Sequence, residues 1–334
     1  MKLGVSYFGN RMPAHYKNHD LPEIQAAGCS YVVHTFSEND LKFYTGTIEK
    51  LIALTQAAGL EAHIDPWGVG GIFGGEAFSE FLILHTDTWQ VQIDGTPVPR
   101  VCLRSPRFQE FIRNWINTSV TIGADMLFWD EPQLITGSTG KSGSNSGHTC
   151  WCSTCRMLYA DRYGEPMPYQ VTEQVREFLR ESVTWFIKDL CQFGASQGVP
   201  STVCLSPPVF AHLGADALDT IAQIPSVKTL GITPFWHLWN QHHRTYVREH
   251  ADALVTLCRH WKKEPQLWLQ GFLIDDGREI EIKEAADQSI QAGIRNLAAW
   301  GFQGCGYMSS VAPSRPDEVW RVITEKFQRL KHTY

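Results

Sequence analysis

Gln25-Ala26-Ala27-Gly28 runs into the apolar stretch Tyr31-Val32-Val33-His34, and Gln56-Ala57-Ala58-Gly59 runs into Glu61-Ala62-His63-Ile64-Asp65. Gln291-Ala292-Gly293 precedes Asn296 to Trp300 in the same way. Each is a helix pattern closed by a glycine that takes the left-handed conformation just past the helix end and turns the chain into a strand. Working outward from these units, further strand-like segments are Leu3 to Phe8, Met126 to Asp130, Thr202 to Ser206, Thr229 to Thr233 and Leu267 to Phe272. Amphipathic segments lie between them; Val171, Val175, Phe178, Leu179, Val183, Phe186, Ile187 and Leu190 recur at helical spacing. Eight strands alternating with helices predict a single (β/α)8 TIM barrel over 1–334, with a loop insertion at 133–165. A doubly wound open sheet is the alternative, but no glycine-rich phosphate turn follows the first strand.

The 334 residues carry 35 acidic and 29 basic side chains, a net charge of −6 with no basic block, which argues against a nucleic-acid partner. No run of 18 apolar residues is present, so no membrane span is expected. The chain enters a strand directly, without an apolar leader, and its nine cysteines are an odd number with four clustered. Reduced thiols and a cytoplasmic location are therefore expected. A homo-oligomer is the base-rate expectation.

In a barrel of this kind, function sits at the C-terminal strand ends. Those ends carry Tyr7, His34, the trio His63, Asp65 and Trp67, then Asp130-Glu131, Trp236, Gln270 and Trp300, with Asp275 and Asp276 beyond the seventh strand. An indole face buries apolar area against the C–H face of a sugar ring while hydroxyls stay free for polar partners, so Trp67, Trp236 and Trp300 read as a platform for a carbohydrate substrate. Trp268, mid-strand, reads as core. Phe128-Trp129-Asp130-Glu131-Pro132 places two carboxyls at the end of a buried strand, where desolvation suits one of them to general acid work. Because strand neighbours face opposite ways, one of the pair should project over the barrel mouth, and Glu131 is taken as that one. Asp65 is a rival second carboxylate, as is Asp275. Asp276 with Glu279 fits a capping box.

His148-Thr-Cys150-Trp-Cys152-Ser-Thr-Cys155, with Cys102 upstream, suggests a closed four-thiolate zinc site of the structural kind, with His148 as a possible substitute ligand. Cys29, Cys191, Cys204, Cys258 and Cys305 read as small core residues. Gly137-Ser-Thr-Gly140-Lys141-Ser142 imitates a phosphate loop, but Ile135 stands where its first glycine is required. No organic cofactor is expected.

These residues together resemble the glycoside hydrolase barrels, and most closely the zinc-carrying family 42 β-galactosidases and their smaller relatives. The likeness rests on Cys102 with Ser105-Pro106-Arg107-Phe108 opening a helix, on the tryptophan-led strand ending in Asp130-Glu131, and on Cys150-x-Cys152-x-x-Cys155 with Tyr159 and Tyr163-Gly164 behind. The resemblance implies that Glu131 is the acid/base, and that Cys102, Cys150, Cys152 and Cys155 hold zinc. Two positions depart from it: aspartate at 130 replaces the family's asparagine, and Gln270 stands where a nucleophilic glutamate is expected. The second catalytic carboxylate is thus open among Asp65, Asp275 and Asp276, and with it retention or inversion. Two other readings stand beside this one. One is a metal-dependent barrel isomerase or hydrolase using His34, His63 and Asp65; the other is a saccharide-binding barrel without catalysis. Lys228, at the start of the sixth strand, is on the wrong face for Schiff-base chemistry.

Overall fold

The computed structural model describes residues 1–8, 11–132, 134, 148–308 and 310–333. The sequence segment 137–147, with its phosphate-loop imitation, lies outside them. In chain order the strands are β1 (Lys2–Tyr7), β2 (Tyr31–Thr35), β3 (Glu61–Asp65), β4 (Trp89–Val91), β5 (Pro97–Val101), β6 (Met126–Asp130), β7 (Ser201–Leu205), β8 (Val227–Ile232), β9 (Glu264–Gln270) and β10 (Asn296–Trp300). Strands β1, β2, β3, β6, β7, β8, β9 and β10 pair in parallel, in that order, and β10 closes on β1. This is the predicted eight-stranded barrel with helices outside it. All eight predicted strands are present, displaced by at most three residues at an end.

The glycines that close the helix patterns behave as the sequence requires: Gly28, Gly59 and Gly293 have φ of 96°, 79° and 108°. The pattern ending at Leu190 forms the 24-residue helix Glu173–Ser196, burying Val175, Phe178, Leu179, Val183, Phe186, Ile187 and Leu190. Asp276 does not cap a helix. It pairs with Arg315, and the helix there begins at Ile280.

Strand parity sorts the barrel interior from the helix-facing layer. Tyr31, Val33, Phe128, Cys204, Trp268 and Ala298 pack together inside. At the lower end, the Tyr31 hydroxyl donates to Asn296 Oδ1 (2.7 Å) and accepts from Gln266 Nε2 (2.8 Å). Gln266 Oε1 in turn accepts from the Trp268 indole N–H (2.9 Å). The Tyr31 ring fills the space beside Gly4, where a Cβ would stand 2.0 Å from it. Tyr31, Asn296, Gln266 and Trp268 thus satisfy one another, as a dry interior demands.

The antiparallel hairpin β4–β5 lies in the connection between β3 and β6, and its two strands have no counterpart among the eight strands read from the sequence. It grips the far end of the next connection: Gln92 bridges to Thr149, Trp151 N donates to Val91 O (2.8 Å), and Ile93 N donates to His148 O (3.2 Å).

Candidate active site

A cleft of about 240 Å³, open to solvent, lies at the C-terminal end of the barrel. Phe128 and Trp268 line it from the barrel interior, so Trp268 serves both the core and the cleft. Trp67, Trp300, Phe235, Trp239 and Phe272 also line it. Trp67 and Trp300 stack with centroids 5.1 Å apart and planes 17° from parallel, and Phe8 stacks on Trp67 at 5.7 Å. The carboxyl groups in the lining are Glu76, Asp130 and Glu131.

Both members of the Asp130-Glu131 pair reach the cleft, which the alternation of a strand does not provide. Asp130 keeps the inward parity of Phe128 on β6. Glu131 has left the strand, and with φ 50° it turns its side chain inward as well. A left-handed conformation at a glutamate costs energy and persists only where surrounding structure enforces it. Here the Glu131 N–H donates to Cys204 O (2.9 Å), and Thr233 Oγ1 donates to Glu131 Oε1 (2.6 Å). Burial raises the Glu131 pKa, and hydrogen bonds from Thr233 and Ser206 to the carboxylate temper the rise. Asp130 is pushed well above the usual carboxylate range by burial first, then by the negative charges of Glu131, Asp65 and Glu76.

Asp65 faces inward beneath this group, fully buried, with neither carboxyl oxygen hydrogen-bonded among the described residues. Burial holds its pKa well above the ordinary value. The folded state therefore keeps a proton that the unfolded chain releases near pH 4, and stability falls as pH rises from there toward the folded pKa. Asp65→Asn is expected to raise the unfolding free energy by about 1–3 kcal/mol at pH 8 and by much less at pH 4, measured by urea titration at both values. An equal effect at both would remove Asp65 titration from the account.

Glu76 was not singled out in the sequence. It is carried by the loop after β3, where the backbone passes directly over two cleft side chains. A Cβ on Gly74 would stand 2.0 Å from Asp130 Oδ2, and one on Gly75 would stand 2.4 Å from the Trp67 ring; Gly75 also has φ 114°. Gly74 N donates to Asp130 O (3.1 Å), fastening the loop to the end of β6. The glycine pair was the available signal, since two adjacent glycines after a strand mark a close backbone approach. Gly74→Ala is expected to cost about 1–3 kcal/mol through this overlap and to displace Asp130, checked by denaturant unfolding.

Several expected site residues lie elsewhere. Tyr7 and His34 pair in register across β1 and β2 on the outer face. The Tyr7 hydroxyl donates to Asp20 Oδ2 (2.7 Å), and His34 Nε2 bonds Thr55 Oγ1 (2.9 Å) in the helix-facing layer, where burial lowers the His34 pKa to about 3. His63 is inside but low in the barrel, stacked on Tyr31 at 4.6 Å and bonded to Glu61 Oε2 (3.1 Å). Trp236 is fully buried and donates its indole N–H to Glu281 Oε2 (2.8 Å); its neighbours Phe235 and Trp239 line the cleft instead. The Asp275 side chain is 72% exposed, with His237 3.7 Å away, and does not line the cleft. Gln270 is buried and committed to the backbone: Oε1 accepts from His237 N (3.0 Å) and Nε2 donates to Phe272 O (3.0 Å). It holds the loops after β8 and β9 rather than facing a substrate.

The sulfurs of Cys102, Cys150, Cys152 and Cys155 lie within 4.8 Å of one another, all buried. Cys102 follows β5 directly. Cys152 is the N-cap of the helix Ser153–Tyr163, and its sulfur accepts from Cys155 N (3.5 Å). Cys102 Sγ is 3.5 Å from both Cys155 Sγ and Cys152 Sγ. Four thiolates at about 2.3 Å from one ion stand roughly 3.8 Å apart, so the cluster is compatible with a metal site. His148 is not part of it. The other five cysteines are buried.

No family model and no curated protein matches the chain. Solved structures do. The β-galactosidase of the Antarctic haloarchaeon Halorubrum lacusprofundi superposes with a TM-score of 0.71 at 13% identity, over 99% of this chain and 58% of that one. Glycoside hydrolases are among this chain's neighbours in fold, and so is the D-allulose 3-epimerase from Methylomonas sp., which gives 0.52 at 11% identity over 100% and 97%. The β-galactosidase from Bacillus circulans sp. alkalophilus gives 0.66 at 10% identity, over 98% and 55%. The endo-1,4-β-mannanase from Rhizomucor miehei gives 0.62 at 10% identity, over 98% and 94%. The chain therefore spans little more than half the length of the two β-galactosidases. Among the described residues the cysteines are the group of three or more potential ligands whose atoms converge; His34, His63 and Asp65 do not.

Proposed function

We propose that the protein is a glycoside hydrolase in which Glu131 is the general acid. The observation that carries this is the half-buried Glu131 carboxyl, fixed by Thr233 at the edge of a cleft walled by stacked indoles. A carboxyl whose proton affinity is raised by burial can protonate a glycosidic oxygen near neutral pH, and the indole faces suit a sugar ring. Burial raises the pKa of both Asp130 and Asp65, and neighbouring carboxylates add to the rise at Asp130, which weakens both as bases. Glu76, which lines the cleft and is exposed, is the second carboxylate of this reading, acting on water or on the anomeric carbon, although burial raises its pKa as well.

Four buried thiols converging on one point are the donor set of a structural zinc. Cys102, Cys150, Cys152 and Cys155 would hold the ion with no position open to substrate; its contribution is folding energy and not chemistry.

The test is a screen of the protein against aryl α- and β-glycosides and unactivated oligosaccharides, with the first product anomer identified by NMR. Cleavage is expected, and it should weaken sharply in Glu131→Gln. Cleavage unaffected by that change would remove Glu131. Binding without cleavage across the panel would favour a saccharide-binding barrel, a reading that the backbone-committed Gln270 makes specific.

A further inference from the structure

The cleft is two-sided. Its carboxyls, Glu76, Asp130 and Glu131, come from the connection after β3 and from the end of β6, which are neighbouring strands. The other wall is built by Phe235, Leu238 and Trp239 after β8 and by Phe272 and Leu273 after β9. In the closed order of the barrel, β9 stands opposite β3. Of those five side chains, only Trp239 carries a hydrogen-bonding group, its indole N–H. The wall is held from behind. Gln270 ties its two loops together through His237 N and Phe272 O, and Phe235 meets Phe272 edge to face at 4.9 Å. Leu273 N donates to Val311 O (3.0 Å). Yet Leu238, Trp239 and Leu273 remain 48%, 41% and 37% exposed. Leu273 does so with φ 50°, a left-handed backbone that a leucine keeps only where its surroundings enforce it. Large apolar side chains left open to solvent in a cleft edged by polar groups mark a ligand surface.

Glu131 lies at the seam of the two walls: it extends from β6 and is held by Thr233, just past β8. An acid placed there meets a glycosidic oxygen lying between the walls. The sugar ring, whose hydroxyls need polar partners, belongs on the side of Glu76 and Asp130, so the leaving group lies against the apolar wall. A second sugar there would press its hydroxyls onto side chains that offer one donor among five, a desolvation cost that nothing offsets. We infer that the leaving group of the substrate is an apolar alcohol, alkyl or aryl, and not another sugar, and that this wall is its site. The glycosidic C–O bond breaks, its electrons stay on the oxygen, and the proton from Glu131 completes the alcohol. Water gives its hydroxyl to the sugar, and its remaining proton restores the acid. The leaving-group assignment rests on the hydrolase reading; a glycoside with an apolar tail as the ligand of this cleft does not.

The experiment is calorimetric titration of the full chain with methyl and n-hexyl glycosides of glucose, galactose and mannose, in both anomers and below micelle formation. Lactose, cellobiose and mannobiose serve as sugar–sugar ligands, and cleavage of every compound is followed in parallel. Methyl and hexyl alcohols are similar leaving groups, so a difference between them reports contact and not reactivity. At least one hexyl glycoside should bind about tenfold or more tightly than its methyl counterpart, as burial of a few methylenes requires, and more tightly than the disaccharide of the same sugar. Leu273→Gly allows the left-handed backbone without strain and removes the side chain, so it should lower the hexyl-to-methyl ratio by about threefold or more. Trp239→Ala should lower it likewise. Phe43→Ala removes a 65%-exposed ring that does not line the cleft and should leave the ratio unchanged. Equal binding of methyl and hexyl glycosides overturns the inference, as do tighter binding of the disaccharides, a hexyl preference that survives both cleft variants, and failure of every hexyl glycoside to bind. Hexyl preference with no glycoside cleaved would keep the apolar-tailed ligand and remove the hydrolase reading. Cleavage of disaccharides with no hexyl preference would do the reverse.

Discussion

Glu131→Gln is expected to lower turnover on glycosides with poor leaving groups by about 10²–10⁴-fold, the span of general acid catalysis, and to spare strongly activated aryl glycosides. The amide keeps the shape and can still accept the hydrogen bond from Thr233, but it carries no proton to give. The pH profile supplies a second readout. Burial raises the pKa of Glu131, so the protonated acid persists to higher pH than an ordinary glutamate would allow. Activity dependent on it is present below that raised value and is lost as pH rises through it. The alkaline limb of kcat/KM should therefore report Glu131 and disappear in the glutamine variant. Near-wild-type turnover on unactivated substrates would exclude Glu131 as the acid.

Cys152→Ser is expected to reduce bound metal from one ion per chain to a small fraction, counted by native mass spectrometry, and to lower Tm by on the order of 5–10 °C. Cys152 contributes twice: its sulfur belongs to the four-thiol cluster, and it caps the helix Ser153–Tyr163 by accepting from Cys155 N. Serine can keep the cap but not the metal bond, so the variant separates the two contributions. Treatment of the wild-type protein with a strong chelator should reproduce most of the Tm loss. A chain that holds its metal after the substitution would place the ligands elsewhere.

The barrel was legible because its signals are local. Apolar runs a few residues long repeat eightfold, glycines just beyond helix ends precede three of them, and neither signal depends on knowing what packs where. The place of Glu131 at the cleft was legible for the same reason, as a carboxyl at the end of a buried strand. What failed were inferences that require geometry beyond a strand's end. Tyr7 and His34 were placed at the mouth because they end strands, yet their parity turns them toward the helices. Trp236, Phe235 and Trp239 follow β8 in irregular chain, where no period of two selects which ring faces the cleft. Glu131 was expected to alternate with Asp130, and its left-handed backbone brings both inward. The β4–β5 hairpin was invisible for another reason: three residues and a stretch holding Pro97 and Pro99 do not read as strands. Beyond its own pairing, it is tied to the remote segment His148 to Trp151. Glu76 depends wholly on a tertiary approach, that of Gly74 to Asp130.

Cys102 comes from the connection leading into β6, and Cys150, Cys152 and Cys155 from the connection leading out of it. The two flanks of the acid-bearing strand are thus buckled together, which sets the unit of exchange among barrels built this way. Neither connection can be transplanted or replaced alone, because each would arrive with thiols lacking their partners and with half of a hairpin–loop contact. The smallest portable module is the stretch from the end of β3 to the start of β7, carrying Glu76, Glu131 and the cluster as one cassette. Loop-by-loop variation, the usual freedom of this architecture, is closed to that quarter of the rim.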